Sequence, residues 1–200
     1  MRLKRILQNR IKIILSILIP FYLMNNNVNA IEQYTAHGGP VKGLAVSSDY
    51  KLMASASFDY SVVIWDLNPI KEKKTLIGHD AAVNTVKFSP KNNYLVSGGD
   101  DNQVLLWSLE KMNNNDEEIE PIKLGNHRGK VAGIDFSKDG KIVITASWDG
   151  TIGVWDVLKR KKIMSLSGHK GPVYSAKFSN NNEYLSLIHI SEPTRLLSIS

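Results

Sequence analysis

The chain has 200 residues, a formal net charge of +6 and no cysteine. Without cysteine it forms no disulfide, so its stability must come from burial and hydrogen bonding. It contains neither a phosphate-binding glycine loop nor a nucleophile elbow, which argues against the enzyme classes that depend on those motifs.

Residues 1–30 have the order of charge and hydropathy that is typical of a secretory signal peptide. A basic head precedes an almost wholly apolar run over residues 13–24, and the polar residues that follow end in Val28-Asn29-Ala30. We therefore predict a signal helix in residues 1–30, with cleavage after Ala30. Retention as a short membrane anchor is the alternative, although the run is shorter than the roughly 20 residues that a membrane span needs.

The predicted signal segment contains five positive charges and no negative one, so without it the net charge falls from +6 to +1. The basic composition therefore does not indicate nucleic-acid binding. We expect an exported protein, periplasmic or secreted, that touches a membrane only if the N-terminal segment is not cleaved. The absence of both cysteine and Asn-x-Ser/Thr sites favours a bacterial source.

From residue 31 onward, short alternating runs bounded by turn residues predict β-strands. The runs lie at residues 41–47, 51–57, 61–67, 73–78, 83–89, 94–99, 103–109, 122–125, 131–137, 142–147, 151–157 and 161–167. Lys138-Asp139-Gly140 and Asp149-Gly150 suit tight reversals between antiparallel strands. Residues 111–121 are polar and unpatterned, and we predict that they form a surface loop.

A histidine, an aspartate and a tryptophan recur along these strands at fixed spacing. Each aspartate follows its histidine by 22 residues, the tryptophan comes 6 later, and successive units begin 42, 48 and 42 residues apart. The period matches that of a four-stranded propeller blade. A hydroxyl residue stands four positions before each aspartate, which gives the sets His37, Ser55, Asp59 and Trp65; His79, Ser97, Asp101 and Trp107; and His127, Thr145, Asp149 and Trp155.

On these motifs the chain resembles the WD40 family of β-propellers. The resemblance implies an all-β fold, an open arc of three full blades and a partial fourth, with the repeats over residues 31–186. His169 opens the fourth unit, but Leu187, Ser191 and Leu197 stand where the hydroxyl, the aspartate and the tryptophan are expected.

Residues 187–200 follow no blade pattern, and we interpret them as a non-native tail that comes from a frameshift or an adaptor sequence. A degenerate terminal blade is the alternative. Residues 31–34 resemble an outer strand that would complete a last blade, so we expect the chain to be a fragment of a longer protein.

In WD40 blades a similar set of residues forms a hydrogen-bonded chain from tryptophan through hydroxyl and histidine to aspartate. The resemblance implies the same structural clasp here, with His169 as the first member of a fourth. A catalytic or metal site is the alternative, but a site gathers different groups at one point, whereas these sets repeat once per blade. We therefore expect neither a metal nor a cofactor.

The resemblance further implies a protein-interaction scaffold that is not an enzyme, with unidentified protein partners and no nucleic acid. WD40 partners often contact the narrow face of the propeller. The matching positions lie five residues after each histidine or directly before each aspartate, and they are Lys42, Asn84, Ala132, Tyr174, Phe58, Asp100 and Trp148. Packing of Phe58 and Trp148 against a neighbouring blade is the alternative to a partner contact.

Two other functions are open at this stage. The chain could be the propeller part of an exported redox protein that is fused to, or partners, a c-type cytochrome, and a Cys-x-x-Cys-His motif further along the protein would reveal it. A hydrolase or lyase propeller would need ionisable residues around the central channel. The innermost predicted strands offer mainly valine, alanine, glycine and threonine there.

Overall fold

The structure, a computed structural model, describes residues 35–110, 112–113, 118–179, 184–189 and 192–198. Every regular element within these residues is a β-strand, so the predicted all-β fold is confirmed. The predicted signal helix and the predicted outer strand at residues 31–34 lie outside the described residues.

The described strands form four antiparallel sheets, which we call blades 1 to 4. Blades 1 to 3 have four strands each, blade 4 has three, and the strands of each blade pair in chain order. Their bounds are β1 (Val41–Val46), β2 (Leu52–Ser57), β3 (Ser61–Leu67) and β4 (Ile70–Ile77); β5 (Val83–Phe88), β6 (Tyr94–Gly99), β7 (Gln103–Ser108) and β8 (Ile122–Asn126); β9 (Val131–Phe136), β10 (Ile142–Ser147), β11 (Ile152–Asp156) and β12 (Lys161–Leu166); and β13 (Ser175–Phe178), β14 (Tyr184–His189) and β15 (Glu192–Ser198).

The predicted turns between these strands have the backbone that their sequences favour. Gly140 and Gly150 adopt φ values of +74° and +81°, a region that glycine enters without steric cost. Gly140 N–H donates to the Ser137 carbonyl at 2.9 Å, and Gly150 N–H donates to the Ser147 carbonyl at 3.2 Å. Each turn therefore reverses the chain within a few residues and sets the register of its hairpin.

The hydrophobic core lies between successive blades. The inner strand of blade 2, β5, buries Val83, Val86 and Phe88 in one cluster with Ala54 and Ile64 of blade 1. The inner strand of blade 3 packs on blade 2 in the same way, and β13 packs on blade 3. Blades 2 and 3 thus each contribute to two cores, which explains why small and β-branched residues fill their middle strands.

The inner strand of blade 1 has the same apolar pattern without a covering blade among the described residues. Val41, Leu44 and Val46 occupy the positions that Val83, Val86 and Phe88 hold in blade 2, yet Leu44 is 64% exposed. This flank of blade 1 is consequently an apolar surface.

The insertion between β7 and β8 is not wholly the surface loop that its polar sequence predicts. Met112 and Ile119 are buried and join Leu109 in the core cluster between blades 1 and 2. The two apolar side chains in the otherwise polar segment cover the end of that core, because burying them removes apolar surface from water.

The strand pattern also continues past residue 186, where the repeats are predicted to end. Strand β14 runs to His189, and β15 pairs with it so that Leu185 lies opposite Leu197. Antiparallel pairing uses only backbone N–H and C=O groups, so it does not require the missing clasp residues. The non-native origin of residues 187–200 stays a prediction.

Candidate protein-interaction face

Blade 3 shows how the four repeated residues are connected. The Trp155 indole N–H donates to Thr145 Oγ1 at 2.7 Å, and this hydroxyl lies 2.7 Å from His127 Nε2. His127 Nδ1 lies 3.1 Å from Asp149 Oδ2. Because a carboxylate accepts hydrogen bonds, Nδ1 carries the imidazole proton and Nε2 accepts from the hydroxyl. One chain of hydrogen bonds therefore joins β10, β11, the segment before β9 and the turn after β10.

Blades 1 and 2 repeat this arrangement closely. The indole-to-hydroxyl distance is 2.8 Å in both, and the histidine Nε2 lies 2.7 and 2.8 Å from the hydroxyl. The histidine Nδ1 lies 3.0 and 2.8 Å from the aspartate. The residues are His37, Ser55, Asp59 and Trp65 in blade 1 and His79, Ser97, Asp101 and Trp107 in blade 2.

A hydroxyl, a histidine and a carboxylate in this order also form the catalytic triad of serine hydrolases. In a hydrolase, however, the hydroxyl oxygen must be free to attack a substrate. Here Ser55, Ser97 and Thr145 are buried, and each oxygen accepts the indole N–H of its own blade. The clasps thus present no accessible nucleophile. Among the residues that the structure describes, no group of three His, Cys, Asp or Glu residues is placed to hold a metal ion.

The clasp aspartates are strongly stabilised as carboxylates. Burial alone would raise the pKa of Asp149, but hydrogen bonds from the Thr151 hydroxyl and from the N–H groups of Arg128 and Thr151 outweigh burial and lower the pKa to about 2. Asp59 has a pKa of about 2 for the corresponding reasons. Burial lowers the pKa of His127 even though Asp149 opposes that shift, so the imidazole is neutral at neutral pH.

Of the fourth predicted clasp, the described side chains include only that of His169. His169 is partly buried at the start of blade 4. The side chains at positions 187, 191 and 197 lie outside the described part of the chain.

The predicted partner-contact positions lie at the starts of the inner strands and in the turns beside the clasps. In blade 1, the Lys42 Nζ stands 5.1 Å from the centre of the Phe58 ring, a cation–π geometry. Phe58 is 44% exposed, so a large part of the ring faces solvent. Blade 1 therefore contributes an exposed aromatic ring with a lysine held above it.

A charged pair continues this surface from blade 2 to blade 3. The Lys130 Nζ of blade 3 lies 2.6 Å from Asp100 Oδ2, and the Asn84 amide donates to Asp100 Oδ1 at 2.7 Å. Burial by itself raises the pKa of Asp100, but hydrogen bonds from Asn84 and Lys130 outweigh it and lower that pKa. The charge of Lys42 adds to this lowering, which connects the Asp100 site with blade 1.

Blade 3 and blade 4 complete the surface. The Lys130 Nζ also stands 5.4 Å from the centre of the Trp148 ring, and the Trp148 and Tyr174 rings lie 5.6 Å apart at 60°. Trp148 is 45% exposed. We call the whole set the aromatic–lysine row, and its members are Phe58, Lys42, Asp100, Lys130, Trp148 and Tyr174.

Sequence reasoning missed Lys130, which contacts both neighbours in the centre of the row. The position three residues after the histidine is Pro40 in blade 1 and Ala82 in blade 2, so the repeat itself does not mark it. The sequence does contain one signal for Lys130, which is that the corresponding positions in the other blades carry no charge. Asn84 supports the row through Asp100, and Ala132 is partly buried beside it.

Successive sheets that pack face to face through their inner strands, three of them with a complete clasp, define a β-propeller repeat protein. The family model described as "WD domain, G-beta repeat" matches residues 29–66, 70–108, 120–156 and 160–187. The chain belongs to this WD40 family.

Several known proteins are similar to this chain. A subunit of chromatin assembly factor 1 from Mus musculus is 31% identical over 166 residues, which is 72% of this chain and 29% of that protein. WD40 repeat-containing protein HOS15 of Arabidopsis thaliana is 27% identical over 158 residues, 78% of this chain and 26% of that protein. Serine-threonine kinase receptor-associated protein of Mus musculus is 29% identical over 137 residues, 68% of this chain and 37% of that protein.

The chain thus spans between about a quarter and about two fifths of the length of these relatives. They come from a mammal and a plant, so the comparisons lend no support to the bacterial source that the composition favours. The relatives likewise give no support to the alternative that this chain is part of a redox protein with a c-type cytochrome. No helix in the described residues is long and apolar enough to cross a membrane.

Proposed function

We propose that this WD40 chain is a non-catalytic protein-interaction scaffold and that a partner protein binds across the aromatic–lysine row. The observation that carries the proposal is the continuity of the row. Lys130 lies 2.6 Å from Asp100 of blade 2 and 5.4 Å from the Trp148 ring centre. The Trp148 ring lies 5.6 Å from the Tyr174 ring at the start of blade 4. The Lys42 and Phe58 pair extends the row over blade 1.

The exposure of the two aromatic rings supports a partner contact over packing within the chain. Phe58 and Trp148 keep 44% and 45% of their surface accessible, although large aromatic side chains gain most from burial. Each ring is also held by a lysine, so less side-chain freedom is lost when a partner binds. Exposed and oriented aromatic residues of this kind are frequent anchors of protein interfaces.

The names of the relatives point in the same direction. By their names, one relative is a subunit of a chromatin assembly factor and another is associated with a serine-threonine kinase receptor. The same role for this chain is part of the proposal, and the identity of its partner is open.

The scaffold proposal predicts that removing either of the two exposed aromatic rings of the row, Phe58 or Trp148, abolishes partner capture. Full-length protein carrying Phe58→Ala or Trp148→Ala is compared with wild type in a pull-down, after nuclease treatment that removes partners bridged by nucleic acid. Truncating an interface anchor typically weakens binding by about 2 kcal/mol or more, so we expect the partner band to disappear.

Leu158→Ala is the matched control for Trp148→Ala. Leu158 is an apolar residue of blade 3 that is 69% exposed, and it lies in the turn at the opposite end of the blade. This variant is expected to keep every partner. Retention of all partners by both aromatic variants would move the binding face elsewhere, with the acidic segment at residues 116–120 as the next candidate.

We propose in addition that the protein is exported through the signal segment at residues 1–30. The basic head, the apolar run over residues 13–24 and the small residue Ala30 support this step. N-terminal sequencing of protein recovered from the extracytoplasmic fraction is expected to begin at Ile31. Recovery of the intact chain from the membrane fraction would indicate an uncleaved anchor, and recovery only from the cytosol would contradict export.

A further inference from the structure

We propose that blade 3 contains a binding pocket for a phosphomonoester group, beside its clasp and separate from the aromatic–lysine row. A cavity of about 400 Å³ opens between the last residues of β8, the clasp of blade 3 and the end of β12. The residues around it that matter for binding are Asn126, Arg128, Asp149, Lys162, Ser165 and Ser167.

The hydrogen-bond donors around this cavity are largely unused. Within the described residues, the Arg128 guanidinium makes no hydrogen bond or ion pair, and the Ser165 and Ser167 hydroxyls make none either. The Lys162 ammonium lies over the Trp155 ring at 4.5 Å and donates to the Asn126 carbonyl at 3.1 Å, which leaves further N–H groups free. Two cations and two hydroxyls therefore line one cavity, and neither cation forms an ion pair within the described residues.

The carboxylate in the wall does not neutralise these cations completely. Asp149 Oδ1 accepts from the Thr151 N–H at 2.9 Å and from its hydroxyl at 2.7 Å. Asp149 Oδ2 accepts from the backbone N–H of Arg128 at 2.8 Å and from the His127 ring Nδ1 at 3.1 Å. Both oxygens are thus committed to the clasp, and the two cations leave the cavity with a net positive charge.

The protonation of Lys162 fits a pocket that gains from an added anion. Burial lowers the pKa of this ammonium, Asp149 partly opposes that effect, and the positive charge of Arg128 lowers it further. A bound oxyanion would offset both the burial and the repulsion between the two cations.

This combination occurs in blade 3 and not at the corresponding places in blades 1 and 2. The residue directly after the clasp histidine is Arg128 in blade 3, Gly38 in blade 1 and Asp80 in blade 2. In blade 2 the Gln103 amide donates to Asp80 Oδ2 at 3.0 Å, so a carboxylate occupies that position. The pocket is therefore a feature of this blade and not of the repeat.

The donors match a phosphomonoester better than a carboxylate. A phosphomonoester has a charge of about −1.5 to −2 at neutral pH and three acceptor oxygens. A guanidinium offers a planar fork of N–H donors, an ammonium adds further donors, and the two hydroxyls supply neutral ones. A carboxylate has two acceptor oxygens, one fewer than a phosphomonoester, so it would leave more of these donors unpaired.

Titration of the full chain with O-phosphoserine, followed by ¹H–¹⁵N NMR, tests the pocket. The Trp155 indole N–H reports on it, because Lys162 stands 4.5 Å from that ring. At constant ionic strength, this signal and the Arg128 amide signal are expected to shift saturably. The indole signals of Trp65 and Trp107, which belong to the other clasps, should stay in place.

Paired variants then show whether the two cations are responsible. Arg128→Gln combined with Lys162→Gln is expected to weaken phosphoserine binding about tenfold or more, since two charge-assisted contacts are lost. Arg160→Gln combined with Lys161→Gln removes the same charge from neighbouring exposed residues outside the cavity, and it should leave affinity within about twofold. Well-dispersed spectra confirm that both variants fold.

Inorganic phosphate and acetate are titrated in parallel to define the ligand class. Binding of phosphoserine with weaker or no binding of acetate supports the proposal. Equal binding of acetate, or binding of inorganic phosphate without phosphoserine, would overturn the phosphomonoester assignment. The absence of saturable shifts, or equal loss in the two paired variants, would overturn the site itself. These outcomes are independent of the pull-down, because neither Phe58 nor Trp148 lines the cavity.

Discussion

Trp107→Ala is expected to lower the free energy of unfolding by about 3–5 kcal/mol, the typical effect of removing a large buried aromatic side chain. Trp107 is fully buried and belongs to the core cluster between blades 1 and 2. Its indole also donates to Ser97 Oγ at 2.8 Å. The substitution therefore opens a cavity and also leaves a buried hydroxyl without its donor.

Urea unfolding followed by circular dichroism measures this loss, and Trp148→Ala is the matched control. The control removes the same side chain from the same kind of blade, but at a site that is 45% exposed, so we expect a cost of about 1 kcal/mol or less. Trp107→Phe should fall between the two, because it keeps most of the ring volume and loses the N–H. Equal costs for Trp107→Ala and Trp148→Ala would contradict the assignment of Trp107 to the core.

The blade framework could be predicted because its determinants are local and repeated. The interval of 22 residues between His127 and Asp149 spans one inner strand, one turn and the next strand, and the same interval recurs in blades 1 and 2. Alternating runs and turn glycines such as Gly140 then fix the strands of blades 1 to 3, and these strands agree closely with those expected. Strand β15 was not predicted, because its segment lacks the residues of the repeat.

The contacts between blades could not be predicted in the same way, because they depend on residues that are distant in the chain. Lys130 meets Asp100 across 30 residues of sequence, and no periodic pattern marks that pair. Met112 and Ile119 reach the core from a segment whose overall polarity predicts a surface loop. The pocket in blade 3 likewise depends on Arg128 and Lys162, which are 34 positions apart in an otherwise ordinary repeat.

The clasps and the aromatic–lysine row lie side by side at the same end of the blades but use different residues. The histidine, hydroxyl and aspartate groups of each clasp use their hydrogen-bonding capacity within the blade. Residues directly adjacent to them, such as Trp148 before Asp149 and Arg128 after His127, are free to vary without loss of the clasp. A blade can therefore change what it presents to a ligand while its internal structure is kept.

Asp149→Ala tests whether the clasp stabilises the blade, and we expect it to lower the free energy of unfolding by about 1–3 kcal/mol. The His127 ring and the Thr151 hydroxyl and N–H would lose their acceptor. Asp139→Ala is the control, since Asp139 belongs to the same blade but is largely exposed, and its removal should cost about 1 kcal/mol or less.

The pH dependence of this loss identifies the Asp149 carboxylate as its source. The folded pKa of about 2 lies below the ordinary value of 3.8, so its contribution is complete above pH 3.8 and is lost as the pH falls through about 2. Urea unfolding of wild type and Asp149→Ala at several pH values should therefore give a difference in the free energy of unfolding that narrows below about pH 4. Between pH 7 and about 4 this difference should widen, because Asp149 supports the protonated His127 ring and its removal lowers the pKa of that ring further. A difference that does not change with pH would assign the loss to packing instead. Full stability of Asp149→Ala together with loss of a specific activity would favour a catalytic role for this residue.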